Sequence, residues 1–326
     1  MMQSFMPVSI FRRFAYFALL ASFSARAQGY PERPVRLIDP FPPGAITSNT
    51  ARLVAKKFQD QTGQPMVVEN KAGAGTNLGG DFVAKAPPDG YTLLLGTSSL
   101  AINPALYRRM PYDPVRDLVP IVLLVRTPNV LAVTPSLPVR TVQELIDYAR
   151  ANPGKLNYAS SGNGASNHLG MELFRTMTRT QMQHIPFRGG AEAMTALVGG
   201  QVQLMFSPES TVAAQHRAGG LRIIAIGGDK RLDSLPGIPT VAESGVPGFE
   251  SGVWLGLFAP AGTPATVVDK VNAEANRALR HPEVLQVLRT SGLAPVGGTA
   301  VEMRRVLMED TDRMGPVVKA AGATVD

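Results

Sequence analysis

The sequence predicts an α/β fold of two lobes, each built on a mainly parallel sheet flanked by helices. Three observations carry this reading. Short β-branched runs alternate with stretches whose apolar residues recur at helical spacing. The alternation runs through two successive series along the chain. A wholly helical tail follows the last strand, which suggests a return to the first series.

In the first series, Val35 to Asp39 reads as a strand. A helix from about Ser48 to Gln61 follows, with Ala51, Val54, Ala55 and Phe58 on one face and Thr47 or Ser48 as its cap. Met66 to Glu69 and Tyr91 to Leu95 read as strands around a helix from Thr76 to Ala86. Pro104 to Pro120 is proline-rich and reads as irregular before a strand at Ile121 to Val125.

The second series opens with a strand at Val130 to Val133 and a helix at Val142 to Ala151. Strands at Leu156 to Ala159, Gln183 to Ile185, Val202 to Phe206 and Leu221 to Ile226 alternate with helices at Ser166 to Met177 and Ala191 to Val198. A Pro- and Gly-rich stretch from Gly227 to Gly248 reads as a surface loop. After a strand at Val253 to Phe258, the tail holds helices at Ala265 to Leu279, Glu283 to Leu288 and Val301 to Ala320. Crossings near Val125 and Val253 then divide the chain into residues 28–125 with 253–326 as one lobe and 126–252 as the other. Such a division leaves a cleft, where ligand sites favour domain interfaces and the carboxyl ends of parallel strands.

The N-terminus reads as an export signal. Arg12 and Arg13 precede a ten-residue run, Phe14 to Phe23, and then Ser24-Ala25-Arg26-Ala27. A charged region, a short apolar region and an A-x-A site describe a cleavable signal peptide, with cleavage after Ala27. Ten residues fall short of the roughly 20 needed to span a bilayer. Arg12-Arg13-Phe14 resembles a twin-arginine start, but its surroundings favour ordinary secretion. Loss of the leader's three arginines takes the formal charge from +7 to +4. With no basic block, nucleic acid is not an expected partner. The absence of cysteine excludes disulfides and thiolate metal sites. The expectation is a monomeric exported protein without a cofactor.

Two strand-to-helix turns carry the binding signal. The first runs from Phe41 to Ser48 through Gly44, Ala45 and Thr47; the second runs from Ser160 through Ser161, Asn163, Gly164, Ala165 and Ser166 to His168. A helix start offers unsatisfied N–H groups and about half a positive charge, which suits an anion. One such turn per lobe could grip a single carboxylate with no arginine required. Ser98 and Ser99 after the third strand, and Ser207 and Glu209 in the second lobe, are candidates for the far end of a ligand. His168 in the first turn of its helix suits ligand donation, loop ordering or a core contact. Arg188 before two glycines suits an anion clamp or a solvated arginine. Phe41 and Trp254 are candidate walls or core residues.

Enzyme signatures are sparse. Gly73-Ala74-Gly75 begins like a dinucleotide fingerprint, but Leu78 stands where the third glycine belongs. No phosphate-binding P-loop, no G-x-S-x-G elbow and no H-E-x-x-H occurs. A secreted hydrolase or lyase acting on a small acid is the alternative to a binding protein.

Pro40-Phe41-Pro42-Pro43-Gly44, Val68-Glu69-Asn70-Lys71-Ala72-Gly73-Ala74-Gly75 and Pro88-Asp89-Gly90-Tyr91-Thr92-Leu93-Leu94 form an ordered set of motifs. The set continues with Pro111-Tyr112-Asp113-Pro114, Tyr158-Ala159-Ser160-Ser161-Gly162-Asn163-Gly164 and Ile185-Pro186-Phe187-Arg188-Gly189. It ends with Ile238-Pro239-Thr240-Val241-Ala242-Glu243-Ser244-Gly245 and Ala259-Pro260-Ala261-Gly262-Thr263-Pro264. These residues resemble the tripartite tricarboxylate transporter receptors, the Bug family, over essentially the whole mature chain. The resemblance implies a periplasmic binding-protein fold whose two lobes close like a flytrap on a small organic carboxylate: a di- or tricarboxylate, an acidic amino acid or an aromatic acid. It implies delivery to a membrane transporter or a sensor component, and it maps the carboxylate grip onto Gly44 to Ser48 and Ser161 to Ser166. The first loop departs from the family pattern, with Ala45 where a second glycine is usual and Ser48 where an Asp is frequent. The loop after Phe206 also lacks the family's frequent Asp-Asn.

Overall fold

A computed structural model describes residues 29–322 and 324 apart from Pro42, Gly44, Ala45 and Arg188. The expected signal peptide, Gly44, Ala45 and Arg188 thus lie outside the described residues.

The first lobe opens with β1 (Val35–Asp39), α1 (Ile46–Thr62), β2 (Met66–Asn70), α2 (Asn77–Ala84) and β3 (Thr92–Thr97). Two short helices follow, α3 (Ser99–Leu106) and α4 (Pro114–Asp117), so the proline-rich stretch is less irregular than its composition implies. Pro104 sits inside α3, and Pro114 starts α4, where Asp113 caps by accepting from Val115 N and Arg116 N. The chain then enters β4 (Leu118–Val133), a strand of 16 residues.

The second lobe holds α5 (Val142–Ala151), β5 (Asn157–Ser160), α6 (Ser166–Thr178), β6 (Gln183–Pro186) and α7 (Gly190–Val198). It continues with β7 (Leu204–Pro208), α8 (Glu209–Arg217) and β8 (Arg222–Ile226). The return runs through β9 (Gly252–Pro260) to α9 (Ala265–Leu279), α10 (Pro282–Thr290), β10 (Ala294–Gly297) and α11 (Ala300–Ala320). Thr299 and Glu302 form a reciprocal capping box at the start of α11.

β4 is one strand where the sequence suggests two. Pro128 interrupts the apolar run without ending it, because its register partner is Gly252 at the point where the chain leaves one lobe for the other. The sheet order is β2-β1-β3-β9-β4-β7-β5-β6, with β8 and β10 also on β4. Parallel ladders between strands join β1 to β2 and β3, and β5 to β6 and β7. Every pair involving β4 or β9 is antiparallel. These two strands run between lobes in opposite directions, so they pair antiparallel with each other.

Apolar side chains fill both faces of each lobe's sheet. In the first lobe, Leu37, Val54, Leu93, Ile121 and Val271 pack on one face, and Ile38, Leu94, Trp254, Phe258 and Met303 on the other. In the second lobe, Tyr158, Phe174, Phe206 and Phe249 form the larger cluster. α11 does not lie with the first lobe alone. Met303, Val306 and Leu307 join the first-lobe cluster, while Met314, Val317 and Val318 join the second-lobe cluster. At ~1.5 Å per residue its 21 residues are long enough to strap both. Ile102 and Leu106 of α3 reach the same second-lobe cluster.

Candidate functional site

The first turn is organised around a carboxylate at the end of β1. Asp39 is fully buried, and its Oδ1 accepts from Phe41 N at 3.2 Å. Its Oδ2 accepts from Asn70 Nδ2 at 2.9 Å and from the Ser48 hydroxyl. Asn70 Nδ2 also faces Phe41 O at 2.8 Å and Ser48 Oγ at 3.1 Å. The helix begins at Ile46, two residues before the expected start, so Thr47 and Ser48 stand in its first turn instead of capping it. Ser48 is drawn onto Asp39, a stronger acceptor partner than a backbone amide is a donor. Thr47 is buried, and its Oγ1 has no hydrogen-bond partner. A buried hydroxyl left unpaired costs ~1–3 kcal/mol, so a ligand acceptor or donor there would be favoured.

The second turn links β5 to α6. Gly162 and Gly164 have φ of 126° and 77°, a region that disfavours side chains. Asn167 Oδ1 gathers Ser161 N at 3.2 Å, Ser161 Oγ at 3.1 Å and its neighbour His168 N at 3.0 Å. Gly164 N donates to His168 Nδ1 at 3.1 Å. His168 is buried, so the side chain orders this turn from beneath. Ala165 precedes the first residue of α6 and supplies no side-chain cap, which leaves the helix start to other acceptors. Asn163 is exposed at the tip of the turn.

Below the turn lies a column of rings. His168 stacks on His184 with centroids 4.0 Å apart, and His184 on Tyr158 at 4.9 Å. Tyr158 OH donates to Glu172, which Arg175 also pairs. Burial pulls the His184 pKa down to about 4, helped by the neighbouring His168. Burial also lowers His168, against the opposing pull of Glu172. Ser160 Oγ lies 2.6 Å from His184 Nε2, a spacing seen in nucleophile–base pairs. Ser160 is fully buried, however, and its hydroxyl also serves Gly162 O and Gly162 N at 3.1 Å. The pair supports the turn.

The lobes meet where the turn after β3 faces the start of α6. Ser98 and Ser166 line one small cavity of about 30 Å³ with Leu169, Ser251, Arg313 and Met314. That volume suits one water molecule. Ser98 is buried, and Ser99 N donates to Thr97 Oγ1 at 3.1 Å. Ser207 is buried at the end of β7, paired in register with Val130. Glu209 begins α8 and accepts from Ser234 Oγ at 2.7 Å. Trp254 is a core residue: it is buried beside Phe258 and its Nε1 donates to Asp310 at 2.6 Å. Phe41 stays half-buried at the first turn.

Sequence reasoning gave no role to Asp39, Asn70 or His184, and placed Asn167 in the second turn without assigning it one. An acid closing the apolar run Val-Arg-Leu-Ile-Asp was a readable signal for Asp39. His184 sits in an ordinary strand, and nothing local marks it.

Two α/β lobes joined by crossing strands, with the hydroxyl-bearing start of α6 turned toward their junction, are the architecture of a solute-binding protein. A profile described as tripartite tricarboxylate transporter family receptor matches residues 50–323, and the chain belongs to that family. Protein BugT of Bordetella pertussis is 37% identical over 299 residues, covering 91% of this chain and 92% of that protein. The structure of R. palustris Rpa4515 with adipate is 38% identical with a TM-score of 0.75, covering 91% of this chain and 100% of that one. MatC from Rhodopseudomonas palustris with bound malate is 32% identical with a TM-score of 0.70, covering 89% and 100%. Family members are periplasmic binding proteins.

Proposed function

We propose that this chain is a periplasmic receptor that captures a small organic carboxylate between its lobes and delivers it to a membrane transporter or sensor. The observation that carries the reading is the pairing of the lobes' turns, with Ser98 of one lobe and Ser166 of the other lining a common cavity. The adipate and malate bound to relatives of this fold support a carboxylate as the ligand.

The grip needs no dedicated cation. The ligand carboxylate docks against the starts of α1 and α6, where N–H groups and the helix dipole favour negative charge. Thr47, Ser161 and Ser166 supply hydroxyls, with the backbone of Gly44, Ala45 and Gly164 to Ala165 alongside. Phe41 covers the apolar part. Ser98, Ser99, Ser207, Glu209 and Arg188 are assigned to the far end, and His168 and Ser48 to holding the turns that make the grip. Closure requires a ligand that binds the closed form more tightly than the open one. The leader is removed after Ala27, and no bond of the ligand is made or broken.

A thermal-shift panel of carboxylic acids on residues 28–326, with adipate and malate included, tests the reading. A ligand at a hundredfold excess over its Kd adds roughly 2.7 kcal/mol of stability, and the expected result is a clear rise in Tm with at least one acid. A rise with sugars or metal ions and with no acid overturns it. Recovery of the acid unchanged after incubation separates a receptor from a hydrolase or lyase.

A further inference from the structure

Asp39 belongs to none of the groups assigned to the ligand, yet it ties together every strand end and helix start of the first turn. Its Oδ1 holds the backbone N–H of Phe41, and its Oδ2 holds Asn70 from β2 and Ser48 from α1. Asn70 in turn holds Phe41 O, so both main-chain groups of Phe41 are anchored to this pair. All three donors to the carboxylate are neutral. Ser48 joins α1 to the network by donating to Asp39, with Asn70 Nδ2 3.1 Å from its Oγ.

We infer that Asp39 is the positioning residue of the first turn: its buried carboxylate sets where Phe41 and the start of α1 stand, and through them which acids the receptor accepts. The consequence for binding rests on the function proposed above; the consequence for the turn does not. The pairing has a polarity, carboxylate on β1 and hydroxyl on α1. A second acid placed at Ser48 meets the first at contact distance, where the hydroxyl donor is lost and two acceptor groups face each other. Moving the acid across the contact, with an amide left behind, restores one carboxylate and one donor.

Three variants test this: Asp39→Asn, Ser48→Asp, and the double Asp39→Asn/Ser48→Asp. Two measurements are made on each, the affinity for adipate and malate and the amide exchange rate of Phe41. Each single variant is expected to lose about tenfold or more in affinity, which corresponds to ~1.4 kcal/mol, and to speed exchange at Phe41. The double variant is expected to recover most of both, which a loss of general stability would not do. Wild-type affinity and exchange in both single variants overturn the inference, as does a double variant no better than the worse single one. Should the wild-type chain bind neither acid, the carboxylate reading falls, and the Phe41 exchange rates alone decide the role of Asp39.

Discussion

His168 and His184 stack face to face, 4.0 Å between centroids, directly beneath the turn proposed to hold the ligand. Their neighbours set their charge. Ser160 and Tyr158 flank His184, Gly164 N donates to His168, and Glu172 and Arg175 close the column.

A pH dependence follows from this stack. His184 titrates at about 4 in the fold and at about 6.5 when unfolded, so between these values the unfolded chain binds the extra proton. The contribution to stability is intact above about pH 6.5 and is lost as pH falls toward 4. His168 is shifted in the same direction. Protonation of its Nδ1 also breaks the bond from Gly164 N. Tm measured from pH 8 to 4 should fall on the acid side, with a smaller fall in His184→Gln. An unchanged acid limb in that variant would exclude His184 as the cause.

A second prediction concerns the contact between lobes at Gly164. A Cβ there would lie 2.5 Å from Leu106 Cδ2, and the φ of 77° adds backbone strain. Gly164→Ala should destabilise by about 1–2 kcal/mol from strain alone, with the clash added. Leu106→Ala should cost ~2–5 kcal/mol by itself. Because the two positions touch, the double variant should be less destabilised than the sum, by about 0.5 kcal/mol or more in urea unfolding. Strict additivity would show that α3 and the second turn are not in contact in solution.

Ser98 and Ser166 give a third. Ser166→Ala removes a hydroxyl from the proposed grip without disturbing the core. A hydrogen bond to a charged group contributes ~1.5–3 kcal/mol, so carboxylate affinity should drop by about ten- to a hundredfold. Tm without ligand should stay nearly constant. Ser98→Ala should act in the same direction. Calorimetric titration with whichever acid raises Tm most provides the measurement, and full affinity in both variants would remove these serines from the site.

Much of this architecture was legible along the chain. The i, i+3, i+4, i+7 pattern of Ala51, Val54, Ala55 and Phe58 located α1, and all four are buried. Val142–Ala151 and Ala265–Leu279 matched their periodic stretches. Local signals of this kind work because a helix or strand must bury one face, and the period of that face is written in consecutive residues. The glycines and hydroxyls of Ser160 to Ser166 marked a turn at a helix start for the same local reason.

Other features depended on residues far apart in sequence. That β4 runs unbroken through Pro128 was decided by β9, more than a hundred residues later, which supplies its antiparallel partner. That α11 straps both lobes was decided by where its two ends find apolar clusters. His184 became part of the second turn only because β6 lies beside β5. Ser48 read as a cap and proved a partner of Asp39, since the end of β1 brings a buried carboxylate to it. Composition and periodicity determined the elements and the two-lobed α/β class. The tertiary structure decided which polar groups meet, because a buried hydrogen bond is chosen by proximity in space, and proximity between strand ends is not a property of any one segment.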